Sequence, residues 1–253
     1  MNILFGFADI SLLQLGLVAF VAFVASIVGG VAGYGTGALM PLVLVPLIGA
    51  EPVVPIIAIS ALFTNSSRAV AFFRCIDWRR ALIVLGASMP TCVLGAYGYT
   101  LLTSAGVLLV IGSMLCLSVP LRRVLKRRKV MLGDGALALS SAGYGVVVGG
   151  TTGSGVILLS LLMAAGVEGA GVIATDAVIS IVIGLIKTGV FGLAGVLTAQ
   201  VVAFALLIGL VALPGAFLAK AFVARMPLHV HTAILDAVVL TGGAVMIFGA
   251  VMR

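Results

Sequence analysis

The sequence predicts an all-α polytopic membrane protein. It consists of two repeated halves of about four to five membrane segments each, with glycine-rich broken or re-entrant helices. Three observations carry that expectation. Of 253 residues, 63% are hydrophobic and 8% charged, with a mean hydropathy of +1.39, whereas soluble domains are roughly a quarter charged. A dense glycine motif occurs twice, 120 positions apart. A basic run, RRVLKRRK at 122–129, lies between the copies.

In chain order, apolar arms at 11–32 and 36–49 precede segments at 53–73, 80–101 and 104–120. The second half follows with 135–151, 155–166, 169–192, 196–222 and 229–251. Since a spanning helix takes about 20 apolar residues, these runs leave no stretch for a soluble catalytic, nucleotide-binding or receptor domain. The start, MNILFGFADISLLQ, lacks a basic n-region and a small-residue cleavage site, so it is expected to lead into the first span rather than to be a removable signal.

Six of the 14 Lys and Arg fall within 122–129. Short basic loops stay in the cytoplasm, so the net charge of +7 reads as a topology signal and nucleic acid is excluded as a partner. The expected division is a first membrane repeat over 1–121, a basic cytoplasmic loop over 122–132 and a second repeat over 133–253. Cys75, Cys92 and Cys116 are isolated and His229 and His231 sit together near one segment end, so neither a disulfide framework nor a metal site is expected, and no cofactor.

The repeat rests on four landmarks in the same order. Gly29-Gly30-Val31-Ala32-Gly33-Tyr34-Gly35 is echoed by Gly149-Gly150-Thr151-Thr152-Gly153-Ser154-Gly155. A Gly-x-Glu loop follows each, at Gly49-Ala50-Glu51 and Gly166-Val167-Glu168, then a segment with small polar residues, then one holding Gly95-Ala96 or Gly215-Ala216. The arms after the glycines have 12–14 residues, which reach about 18–21 Å at 1.5 Å each, short of a core of about 30 Å. Two readings are open: half-helices whose freed backbone lines an aqueous cavity, or glycines that merely allow close packing. Loop charge exchanges character between halves. Arg74, Arg79 and Arg80 sit where the second half has an uncharged turn at 193–200, whereas Lys220 and Arg225 flank its other turn. That exchange predicts an inverted repeat with both termini outside.

On these residues the chain resembles the TauE/SafE family of sulfite-exporter-like transporters. The first half carries GGVAGYGTGALMPLVLVPLIGAEPVVPIIAISALFTNSSRAVAFFR and then Ile76-Asp77-Trp78-Arg79. The second carries GGTTGSG, IATDAVISIVIGLIKTGVF and the Ala-Arg-Met-Pro turn at 224–227. The resemblance covers essentially the whole chain. It implies a bacterial inner-membrane, multi-pass carrier of about eight segments that moves small sulfur-containing anions such as sulfite or organosulfonates. The expected partners are a small anion and the lipid bilayer, with a homo-oligomer admitted. The sequence departs from the pattern at Thr151-Thr152, in lacking a second-half match to Pro41, and in carrying Asp176 where a serine is more typical.

The polar residues point to the same chemistry. An ionisable group inside a span costs about 2.5–3.5 kcal/mol or more and marks function by default. Asp176 and Lys187 are 11 residues apart, three turns, so they share a face with Ser180, about 16 Å apart along the axis. Ser60, Thr64 and Ser67 form a stripe in the first half with Arg68 at its edge. The expected substrate-binding set is Gly33, Gly35, Thr36, Asn65, Arg68, Thr151, Thr152, Ser154 and Lys187, with Asp176 for proton coupling. In it, backbone N–H groups and hydroxyls at the glycine breaks hold the anion. Arg68 and Lys187 attract it along approach paths from opposite sides. Bland alternatives stand beside these: snorkelling cations, hydroxyls bonded within the bundle, a structural acid, and a solvated role for Asp236 with His229 and His231. A passive channel or structural subunit and an intramembrane hydrolase are the competing functions. The hydrolase reading is weak, because a Gly-x-Ser-x-Gly nucleophile pattern needs glycine where Thr152 stands.

Overall fold

The computed structural model describes residues 6–7, 10–32, 35–127, 131–215, 217–218 and 228–252. Ten α-helices run through them: α1 (Leu12–Ala32), α2 (Thr36–Ile48), α3 (Val53–Ala71), α4 (Trp78–Thr100), α5 (Ser104–Arg127), α6 (Asp134–Gly150), α7 (Gly155–Ala164), α8 (Ala170–Leu193), α9 (Ala199–Ala212) and α10 (Leu228–Val251). No strand is found among the described residues. Helices α1, α3, α4, α5 and α8 are long and apolar enough to cross a membrane. The protein is therefore an all-α, multi-pass membrane protein.

Two expected segments change length. α5 continues to Arg127 rather than stopping at 120, because Leu, Arg and Lys are all good helix formers. Half of the expected 122–132 loop is thus helical. α9 ends at Ala212 rather than running on to 222. Leu213 N–H still bonds the Gly209 carbonyl, but Pro214 has no N–H to continue the ladder.

Two sets of contacts sort the helix ends. At one end, Asp134 of α6 accepts from Arg79 at 2.6 Å and also from Arg80. There Asp77 caps α4 by accepting from Arg80 N–H, and its own N–H donates to Thr175 of α8 at 2.9 Å. The Leu132 N–H donates to the Ala164 carbonyl at 2.7 Å, joining the residues around α6's start to α7's end. At the other end, the Tyr99 hydroxyl donates to the Glu51 carbonyl at 2.8 Å and Ser104 donates to the Glu51 carboxylate. Phe7 meets Phe204 with ring centroids 5.2 Å apart, and Tyr99 meets Phe191 at 5.7 Å.

Small residues set the packing. A Cβ on Gly95 of α4 would strike the Val146 carbonyl of α6, and one on Gly149 would sit 2.7 Å from Ala96 N. Without those side chains the two backbones touch, which is how apolar helices associate where lipid is as apolar as leucine. Gly215, the matching landmark, lies against α1 in the same manner, its Cβ position 2.6 Å from Ser26 Cβ. Each Gly-Ala landmark therefore packs on the first arm of the other half. α3 packs on α8 and α5 on α10.

Candidate functional site

The four helix ends at the glycine motifs meet around a cavity of about 130 Å³, several times the roughly 30 Å³ of one liquid water. α1 stops at Ala32 and α2 starts at Thr36, while α6 stops at Gly150 and α7 starts at Gly155. The two breaks touch: a Cβ on Gly37 would sit 3.1 Å from Gly153 N. Gly153 itself has φ +79, a left-handed conformation that glycine adopts without strain.

One hydrogen bond pins the breaks together, and a proline explains it. Pro41 lies inside α2 and cannot donate to the carbonyl of residue 37. The Gly37 carbonyl so freed accepts from Thr152 Oγ1 at 2.9 Å. The second half has no proline at the matching place in α7. Thr152 is thereby a positioning residue, its proton committed to backbone rather than offered to an anion. Thr151 Oγ1 also turns to backbone, reaching the Thr152 carbonyl at 3.4 Å.

α3 and α8 supply the walls in one register. α3 contributes Ile57, Ala58, Ala61, Thr64, Asn65 and Arg68, and α8 contributes Asp176, Ser180, Ile183, Gly184 and Lys187. The shared spacing of 0, 4, 7, 8 and 11 is one helical face. Asp176 therefore holds the register position of Ile57, and Lys187 that of Arg68.

All three charged side chains are buried. Arg68 Nη1 lies 3.2 Å from Asp176 Oδ2, and Arg68 also donates to Asn65 Oδ1. Neither Asp176 oxygen accepts a well-formed hydrogen bond, although the residue is only 1% exposed. Lys187 Nζ donates to the carbonyls of Val148 (2.7 Å) and Thr151 (2.8 Å). It places a cation on the negative end of α6 and keeps one of its three N–H groups for another acceptor. Arg68 and Lys187, expected along approach paths, line the cavity itself, beside the carboxylate, amide and carbonyls that compensate their charge.

The remaining predicted residues divide. Gly35, Thr36, Asn65, Thr151, Thr152 and Ser154 line the cavity; Gly33 lies outside the described residues, as do the side chains of His229, His231 and Asp236. Ser60, Thr64 and Ser67 each donate to the carbonyl three residues earlier, at 3.2, 3.2 and 2.9 Å, so the first-half stripe is mostly spent on its own helix. Ser154 is different: it is 2% exposed and, among the described residues, its hydroxyl makes no bond, not even as a cap of α7. With it stand Thr36, Ser180 and the first N–H groups of α2 and α7, which have no intrahelical acceptor. Sequence reasoning missed Tyr144 and Ser26 in the lining and the Arg68–Asp176 pair. The last turn of α3 meets the first turns of α8 if equivalent helices pack antiparallel, and that was the available signal.

A multi-pass helical chain with a buried, mostly basic cavity between paired helix breaks has the form of a membrane transport protein. The sequence profile of the family described as Sulfite exporter TauE/SafE matches residues 18–246. The chain belongs to that family, which is one of membrane transporters and not of enzymes. No curated protein and no solved structure matches the chain.

Proposed function

We propose that the protein is a secondary carrier that moves small sulfur-containing oxyanions, sulfite or short organosulfonates, across a bacterial inner membrane, with Asp176 as the proton-coupling group. The observation that carries this reading is the cavity. Two cations, one acid and unbonded hydroxyl and N–H donors converge between the starts of α2 and α7, and helix N-termini suit anions. Neutral donors bind oxyanion oxygens without a well too deep for release.

The halves 1–121 and 133–253 act as an inverted repeat with 122–132 between them, α1–α2 and α6–α7 being re-entrant pairs. Several contacts support this arrangement. The Leu132–Ala164 bond favours an α6–α7 pair that returns to the side it came from. The Glu51 loop after α2 contacts the end of α4, whereas α8, which follows α7, begins beside α4's start. The packing partners also exchange in pairs: α4 with α6 as α9 with α1, and α3 with α9 as α8 with α4. Non-helical backbone at membrane depth is tolerated where it lines such a cavity.

Purified protein in liposomes should exchange sulfite without ATP and accumulate it under an imposed pH gradient, and Asp176→Asn should stop the accumulation while exchange persists. Correctly inserted protein that moves no anion across a panel of sulfur oxyanions overturns the reading. Flux without any response to a gradient assigns a passive channel instead.

A further inference from the structure

The cavity's charges can be counted. Among its described lining residues the charged side chains are Arg68 from α3 and Asp176 and Lys187 from α8, and Tyr144 from α6 is a neutral phenol. The helix ends contribute no net charge. α2 and α7 present N-termini, while α1 and α6 present C-termini, and half-charges of about +0.5 and −0.5 each cancel. Two cations and one carboxylate, all three buried, leave a single positive charge in a space bounded by α1, α2, α3, α6, α7, α8 and α9.

A buried charge without compensation costs several kcal/mol. The occupied site is therefore lowest in energy when its ligand brings the charge to zero. We infer that the cavity selects its substrate by charge: it takes a monovalent oxyanion of the sulfonate type while Asp176 is ionised, and a divalent oxyanion only together with one proton. The unfilled lone pairs of Asp176 fit this role. Both oxygens are buried, 3.2 Å from one cation at the nearest, and accept no well-formed hydrogen bond. A proton can settle there at the expense of the Arg68 pair alone, and a divalent ligand beside Arg68 replaces the charge that pair loses. Asp176 is thus the residue that fixes the valence of the ligand. This inference rests on the cavity being the anion site.

The test uses the full chain in nanodiscs with methanesulfonate and sulfate. Both are tetrahedral at sulfur, and their charges of one and two are fixed near neutral pH. Wild type should bind methanesulfonate more than about tenfold tighter than sulfate. Sulfate binding should take up about one proton from a weakly buffered solution and methanesulfonate binding none. Asp176→Asn should reverse the preference and abolish the proton uptake, and Asp176→Glu should keep both as in wild type. The proton count needs no variant, so it decides the matter even where a substitution fails to fold. Equal affinities, a wild-type preference for sulfate, or sulfate binding without a proton overturns the charge rule while leaving the anion site standing. Wild type that binds neither anion overturns both.

Discussion

Replacing Ser154 with alanine separates ligand binding from folding at this cavity. Ser154 is buried, lines the cavity and makes no side-chain cap bond to α7 or other hydrogen bond to the described residues. Removal of its hydroxyl therefore breaks no hydrogen bond to a described residue, and the thermal midpoint should not fall. A hydrogen bond to a charged group is worth about 1.5–3 kcal/mol, so losing one to a bound oxyanion should weaken binding by roughly 10- to 100-fold. Thr152→Val should behave in the opposite way. It removes the 2.9 Å donor to the Gly37 carbonyl and leaves a buried acceptor that Pro41 cannot rescue, at a cost of about 1–3 kcal/mol. At about 2–4 °C per kcal/mol for a chain of this size, its thermal midpoint should fall visibly. Calorimetric titration with methanesulfonate and thermal unfolding of the same detergent-solubilised samples give both numbers. If Ser154→Ala lowers the midpoint as much as Thr152→Val and leaves affinity unchanged, the assignment of free and committed hydroxyls is wrong.

Gly95→Ala should force α4 from α6, because the new Cβ meets the Val146 carbonyl; overpacking of this kind costs about 1–3 kcal/mol, readable as a lower midpoint, and Gly98→Ala, which meets open space, is the control that should not move. Single cysteines placed at Thr103, Gly195 and the C-terminus of a cysteine-free background should react with an impermeant thiol reagent in intact cells, and cysteines within 122–129 should not. Labelling of 122–129 from outside, or protection of the C-terminus, refutes the inverted arrangement.

Nine of the ten helix starts lie within about two residues of what apolar runs and glycine motifs predict, because each landmark acts locally, as Gly35 and Gly155 do where α2 and α7 begin. Two helix ends differ, because hydropathy does not mark where a helix stops. α5 overran its expected end because hydropathy stops at 120 whereas helix propensity does not, and α9 stopped early at a proline that hydropathy averages away. The common face of Asp176, Ser180 and Lys187 was legible from spacing alone. What spacing cannot carry is contact between segments distant in sequence. Arg68 and Asp176 are more than a hundred residues apart, and Thr152 was read as a ligand for the anion because nothing in its own neighbourhood reveals the Gly37 carbonyl.

The shared register of α3 and α8 has a kinetic corollary. One helical face is used twice, yet Asp176 occupies on α8 the position that Ile57 occupies on α3. The turn of α3 nearest the arginine-rich end of the bundle is tied to α8 by opposite charges, 3.2 Å apart and both buried. Toward the other end, Lys187 is tied to backbone carbonyls of α6 instead. Parting α3 from α8 at the first end means separating a carboxylate from a guanidinium in a low-dielectric setting; at the second it separates neutral surfaces. The α3–α8 seam is therefore held unequally along its length, by an ion pair near Arg68 and by none among the described residues near Lys187.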